Sequence, residues 1–372
     1  MAFDSGNPSF RVFWYKEPMT EAVIGRFADA IAPDIKTLST SPIEGWMSWR
    51  HLLDREITPE NCFFIPWLLL NHLHAERKVP KPLFRAYCKL EEAAEMRARG
   101  LESLPRKLKA EIKERVMEAL QPEMPPTLTG IATVVNFSSH FVYADAMKQT
   151  AAEAFMKCFK ETTDHGLALM TPHNVALLRK QVNDNDLEPA VFTADETVPP
   201  PERCNLGQEF LTWLWFRWET RSGDFDSRIG ERCQYMLEGP VTFFNEGKGA
   251  HNVVLRNGLP LQSREAGAAL LCGKKVSKIA FTLADTEKVW TASVDAEFAI
   301  RSLKLPKDKE AGPPTFQERM ELTDKFVDAF FFLFETFLVD RADGKVWKRT
   351  EKEMKEWVNR RATLADGDAT EH

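Results

Sequence analysis

Residues 207–219, GQEFLTWLWFRWE, limit what this chain can become more than any other stretch. Trp213, Trp215 and Trp218 stand there with Phe210, Phe216, Leu211 and Leu214. Asn205 suits a helix start, and Gln208 follows three residues on, as in a capping box. Wound as a helix, Gln208, Thr212 and Glu219 make one narrow polar stripe, and apolar groups cover most of the rest. Such a helix must be buried on several sides. It is either the hub of a core or a helix shared between subunits, and nothing in it suits catalysis.

The rest of the chain can supply that burial. It has 372 residues, 44% hydrophobic and 28% charged, enough for two or three soluble domains. The net charge is −6, so a nucleic-acid site would have to be a local basic surface on an acidic body. Cys62, Cys88, Cys158, Cys204, Cys233 and Cys272 are scattered, with no CxxC spacing and no nearby His pair. They read as thiols of a reducing cytosol, with no zinc site. The start, MAFDSGNPSF, has neither a basic nor an apolar leader region, so no signal peptide is expected. FFIPWLLL (63–70) is too short to span a bilayer, and FFFLFETFL (330–338) is broken by Glu335. The expectation is a cytoplasmic protein with no membrane partner.

Taken in order, the patterns alternate between the two periods. Residues 9–15 read as a strand, 21–35 as a helix of uncertain end at Pro33, and 45–49 and 63–73 as strands. Pro66 in the last suggests an edge or a bulge. Pro80 opens a helical region to Leu120, broken at Gly100 and restarted at Pro105. Its first half carries an apolar stripe at Leu83, Tyr87, Leu90 and Ala94, its second at Leu108, Ile112, Val116 and Leu120. Residues 128–136 and 141–143 look like a hairpin with Ser138 and Ser139 near the turn. A helix over 146–161 turns Ala151, Ala154, Phe155, Cys158 and Phe159 inward. A short strand (167–170) and a helix from Pro172 to Val182 follow. Residues 183–203, acidic and carrying Pro199, Pro200 and Pro201, read as a linker. After the aromatic helix and a polar turn (220–228), strands are expected at 233–238, 241–244 and 252–256, a helix at 263–271, and a meander over 275–283, 288–295 and 298–305. Residues 306–314 read as a second linker. A long helix (315–340) has its apolar face at Phe326, Phe330, Leu333, Phe334 and Phe337. A charged helix (351–361) and a disordered tail close the chain. The class is α+β, with antiparallel sheets and segregated helices. The expected division is 1–182, linker 183–203, 204–306 and 307–372.

The sharpest charge signal is basic. Arg77, Lys78, Lys81, Arg85 and Lys89 lead into Arg97, Arg99, Arg106, Lys107, Lys109, Lys113 and Arg115. Acids in the same stretch (Glu91, Glu92, Glu95, Glu102, Glu111, Glu114) are about half as numerous. Such a surface suits phosphates, and a solvated helix pair with i,i+4 ion pairs is the plainer reading. A second cluster, GKKVSK (273–278), enters a strand. Alternation there turns Lys274 and Lys278 one way and Lys275 the other. No phosphate loop is formed, and lysines guarding a sheet edge are the plain alternative. Asp184, Asp186 and Glu188 cluster in the expected linker, and Asp295 and Glu297 stand together without a fitting third ligand. His72 and His74 alternate on a strand and read as structural. No GxSxG, HExxH or dinucleotide fingerprint occurs.

Four stretches carry a resemblance. They are LESLPRKLKAEIKERVMEALQP (101–122), GIATVVNFSSHFVYADA (130–146), the aromatic helix, and GKKVSKIAFTL (273–283), where Lys274 and Lys278 match a GKxxxK pattern. In this order and spacing they resemble the RdgC family of recombination-associated proteins, in its longer variants, over most of the chain. The resemblance implies a ring-forming α+β protomer. It implies a homodimer that encloses duplex DNA without sequence preference, with single-stranded DNA as a second form, and that antagonises RecA-type strand exchange in the nucleoid. Departures from shorter members fall at 183–203, 223–249, 125–129 and the longer C-terminus. With the basic clusters, it assigns DNA contact to Arg77, Lys78, Lys81, Arg85, Lys89, Arg106, Lys107, Lys109, Lys113, Lys274, Lys275 and Lys278. No catalytic residue, metal or cofactor is assigned. A metal-dependent exonuclease is the alternative, and an interaction scaffold without DNA affinity is a third reading. The homodimer is expected to use the aromatic helix or the long Phe-rich helix.

Overall fold

The computed structural model describes residues 3–180, 182–228, 231–245, 251–307 and 314–367, with 363–367 as backbone only. In chain order the elements are β1 (Arg11–Tyr15), α1 (Val23–Asp29), β2 (Ile43–Ser48), α2 (Pro59–Cys62), β3 (Phe63–Phe64), β4 (Trp67–Arg77), α3 (Lys81–Arg99), α4 (Arg106–Leu120), β5 (Pro126–Asn136) and β6 (Phe141–Ala144). There follow α5 (Gln149–Thr163), β7 (Leu167–Leu169), α6 (Pro172–Lys180), α7 (Leu206–Arg221), β8 (Asp224–Asp226), β9 (Arg232–Phe244), β10 (Asn252–Leu255), α8 (Arg264–Leu271), β11 (Lys275–Ala284), β12 (Val289–Asp295), β13 (Ile300–Lys304), α9 (Phe316–Ala342) and α10 (Gly344–Gly367). The protein is α+β and its strand pairs are antiparallel.

The chain forms two compact units. A larger one takes Met1–Lys16, Ser139–Met156 and Gly166–His372, and a smaller one takes Glu17–Ser138 and Lys157–His165. Residues 183–203 therefore fall inside the larger unit instead of separating domains. Prolines and acids make them irregular, but the apolar groups between decide their packing. Ala190, Phe192 and Thr193 are buried, and the Thr193 hydroxyl donates to the Leu271 carbonyl at 2.7 Å. The second expected linker lies mostly outside the described residues, and so does the tail beyond 367.

In the smaller unit β4 runs between β2 and β5, and β3 folds back on its start. Pro66 sits in the β3–β4 turn after a cis bond, outside β4, and β4, paired on both sides, is an interior strand and neither edge nor bulge. A turn asks no ladder N–H of proline. Helix α1 stops at Asp29, earlier than expected, because the chain leaves it to exchange backbone bonds with Trp46 of β2 at Ala30 and Ala32. Trp46, Phe27 and Phe159 pack edge to face beside β2, with Phe27 and Trp46 centroids 4.7 Å apart. On α5 the buried positions are Ala152, Phe155, Phe159 and Thr163, while Ala154 is exposed.

Helices α3 and α4 make an arm with its own small core. Cys88, Leu104, Ile112, Val116 and Leu120 are buried together, with Leu83, Phe84, Met96 and Leu108 at the margin. That cluster takes no residue from β2 to β5, so the arm's apolar faces are spent on each other. At 19 residues α3 is roughly 28 Å long. The α4 stripe is the one its spacing requires. The α3 stripe is not: Tyr87 and Leu90 are 44% and 65% exposed, and Phe84 and Cys88 face α4 instead. Helix α3 carries two apolar rows, and only the one matching α4 is covered.

In the larger unit β1 is flanked by β6 and β7, and a sheet of order β10-β9-β11-β12-β13 carries β8 against β9. β9 runs unbroken through Gly239 and Pro240, where two strands were expected. Helices α7 and α9 fill one side of this sheet, with Phe281 of β11 against Phe326 and Phe330. Phe210 of α7 touches Trp213, Phe298, Phe330, Phe334 and Phe337 at centroid distances of 5.1 to 6.4 Å. A Cβ at Gly207 would collide with the Ala296 carbonyl, so the close approach of α7 requires glycine there. The aromatic helix is thus the hub of a core. All five expected apolar positions of α9 are buried as well. The surfaces expected to hold a homodimer are therefore consumed within the chain. The N-terminal segment belongs to this unit too. Phe10 and Ile300 exchange backbone bonds of 2.8 and 3.0 Å, and the Arg319 guanidinium donates to the Phe3 carbonyl at 2.8 Å.

Candidate nucleic-acid interface

The arm is polarised. At about 100° per residue, Arg85 and Lys89 fall to one side of Cys88 on α3. Arg106, Lys109 and Lys113 fall to the same rotational side of Ile112 on α4. The two helices run antiparallel through the short turn after Gly100, so these two sides form one flank. The charges around it agree. Burial pushes the Cys88 thiol up, Glu92 adds to that, and Lys113 opposes it, as a cation near that thiol does. Glu91 and Arg115 pair at 3.1 Å on the other side. Lys109 is half-buried and the other four cations are exposed. None of the five has an ion pair among the described residues, and Glu92 is the acid nearest their flank. Glu91, Glu111 and Glu118 lie towards the opposite flank.

The other expected contacts sort differently. Lys107 lies among Glu111, Glu114 and Glu118, away from Lys109 and Lys113, because two residues along a helix is about 200° around it. Arg77 is turned inward. Its guanidinium donates to the Leu38 carbonyl at 3.3 Å and to that of Met124, and with Gln121 Nε2 on the Thr40 carbonyl at 2.7 Å it anchors the arm's base. Lys78 is exposed but sits 3.3 Å from Glu76. Lys81 is exposed at the first turn of α3.

The GKKVSK lysines, all in the larger unit, do not form a basic face. Lys275 is 5% exposed, and its ammonium lies 3.4 Å from Glu209 and over the Phe192 ring. It is corrected from a DNA contact to a core cation. Lys275 and Val276 are buried in succession, and the pairing with β9 slips between Val276 and Lys278, so simple alternation fails at this bulge. Lys278 is half-buried opposite Asp295, and Lys274 is half-buried beside Val198 and Pro199. Nor do these lysines guard an edge, since β11 lies between β9 and β12.

Glu209 is the functional-looking residue that sequence reasoning passed over. It is fully buried in the hub and accepts from Arg341 at 2.9 Å and from the Ala190 amide at 3.0 Å, besides Lys275. The Cys204 sulfur is 3.6 Å away, and burial, reinforced by Glu209, pushes that thiol up to about 12. It stays protonated at neutral pH and is no nucleophile. Above it opens a cleft of about 880 Å³ at the starts of α6 and α7, where Asp184, Asp186, Glu188, Glu202 and Glu297 gather. His173 holds Asp184 at 2.6 Å. Among the described residues no three His, Cys, Asp or Glu side chains are disposed to hold a metal ion, and no helix is long and apolar enough to cross a membrane. Neither a protein-family model nor a curated protein matches this sequence.

Proposed function

We propose that the protein binds DNA without sequence preference through the basic flank of the arm. We propose further that it does so as an RdgC-like homodimeric ring around duplex DNA, opposing RecA-type strand exchange. The observation that carries DNA binding is the flank: Arg85, Lys89, Arg106, Lys109 and Lys113 stand together without ion partners on a chain of net charge −6. Flexible cations in a row meet phosphates, which every sequence presents alike. The ring, the dimer and the nucleoid setting are supported by the sequence resemblance.

Anisotropy of labelled duplexes of two unrelated sequences over a salt series tests this. Binding is expected to weaken steeply with salt and equally for both. Changing Arg85, Lys109 and Lys113 together to Gln is expected to lower the log–log slope by about 2.7, at roughly 0.9 per phosphate contact. Lys107→Gln is expected to leave it alone. An unchanged slope in the triple variant, with circular dichroism intact, moves the DNA surface off the arm. Light scattering tests the dimer, and a monomer at micromolar concentration ends the ring.

The exonuclease reading has one observation in its favour, the carboxylates gathered at the cleft. Labelled linear duplex with Mg²⁺ or Mn²⁺ is expected to keep its length. Shortening that disappears in Asp184→Asn would shift the assignment to the enzyme.

A further inference from the structure

A second basic row lies on α10 in the larger unit, outside every stretch assigned to DNA contact above. Lys345, Lys348 and Lys352 are spaced by three and four residues and so share one line of the helix. All three are exposed, and none has an ion pair among the described residues. The row extends roughly 10 Å along the axis. The opposite face is fixed: Trp347, Met354, Trp357 and Val358 are buried, and the Trp357 indole donates to Glu219 of α7 at 2.8 Å. Two of the helix's acids are engaged elsewhere. Glu351 accepts from the Val191 amide at 2.9 Å and lies 3.7 Å from Lys355, and Glu353 takes Arg221 at 3.1 Å and Arg349 at 2.9 Å. Glu356 is left near the row's far end, and Asp343 lies at its start, accepting from the Lys345 and Val346 amides at 2.9 and 3.2 Å.

We infer that this row is a second phosphate-contacting surface for a nucleic-acid backbone, independent of the arm. It rests on the DNA-binding reading above. Lysine ammonium groups are strongly hydrated point charges without the fork that lets arginine hold one small anion bidentately. A row of them gains by releasing counterions from a polyanion, and duplex DNA offers a charge about every 1.7 Å of axis. A protein partner would need apolar anchors at the centre of its contact, and among the described side chains of α10 the one large exposed apolar group, Val346, points well away from the row.

The test is the same salt series with Lys345, Lys348 and Lys352 changed together to Gln. The slope is expected to fall by about 2.7, equally for both sequences, and to fall further when combined with the arm variant. Lys348→Gln alone, expected to lower it by about 0.9, decides the matter should the triple variant misfold. If the arm variant loses slope and the α10 variants keep it, DNA binding stands and this inference falls. If the α10 variants lose slope and the arm variant does not, the inference stands and the arm assignment falls. If the unaltered protein binds no duplex, both fall. Polyglutamate that displaces the protein from DNA as well as unlabelled duplex of equal charge would assign the row to acidic proteins and overturn it too.

Discussion

The hub around α7 and the arm of α3 and α4 are both helical, and they are held in opposite ways. Phe210 alone touches five other aromatic rings contributed by α7, α9 and the segment before β13. The arm has a single layer of small core between two helices, and the rest of its surface faces water. The same residue type then does different work. Lys275 at the hub is neutralised by Glu209 and serves the core, whereas Lys113 on the arm is unneutralised and available to a ligand. Depth, more than composition, decides whether a cation here is structure or surface.

The hub should therefore respond most to substitution. Phe210→Ala is expected to cost about 3–5 kcal/mol, seen as a large drop in the melting of the larger unit. Glu209→Ala is expected to cost a similar 3–5 kcal/mol, because it strands Lys275 and Arg341 as buried charges without a carboxylate. Lys275→Met should cost less, since Arg341 still satisfies Glu209. A Glu209→Ala protein that melts like the parent would mean that water reaches these cations. Ile112→Ala in the arm is expected to cost about 2–5 kcal/mol locally. Amide exchange should then rise in α3 and α4 while the hub stays protected. If the hub loosens as well, the arm is not the separate element its private core implies.

These residues also show where sequence reading stops. The covered face of α4 was legible because that helix has one apolar row at helical spacing and one place to bury it, whereas the expected face of α9 was part of a wider burial that also takes in Val327, Phe331 and Leu338. Helix α3 was misread because Leu83, Tyr87 and Leu90 form as good a row as Phe84, Cys88 and Met96, and only the partner helix, which covers Leu83 but neither Tyr87 nor Leu90, chooses between them. The arm's basic character was plain, but its segregation onto one flank needed the antiparallel pairing. Lys275 and Glu209 were beyond reach. Their partnership spans 66 residues and depends on a bulge.

Acidity should separate the two units. Burial holds His72, in β4 of the smaller unit, below the ordinary 6.5, against the pull of Glu44. Its folded form resists the proton that the unfolded chain accepts. The smaller unit is thus expected to lose stability as pH falls from 6.5 towards the folded value. Glu335 in the larger unit behaves otherwise. Burial pushes its carboxyl up, but hydrogen bonds from Arg179 and Arg228 outweigh that and hold it below the ordinary 4.5. Its contribution is complete above 4.5 and is lost only as pH falls through the lower folded value. As pH falls from 6.5 to 4.5, the protection of β4 amides, corrected for the intrinsic exchange rate at each pH, should fall while that around Glu335 does not, and His72→Leu should remove the difference. The smallest effect belongs to the arm's surface. Arg115→Gln breaks an exposed pair with Glu91 and is expected to change stability by about 0–1 kcal/mol.

The bonds between Phe10 and Ile300 set an order for the chain's birth. A ribosome adding roughly 5–20 residues per second makes Phe10 some 15–60 s before its partner. The smaller unit, contained within residues 17–165, can close during that interval. Strand β1 can pair with β6 and β7 as soon as residue 169 has been made, but Phe10, just before it, waits for Ile300, some 290 residues behind it.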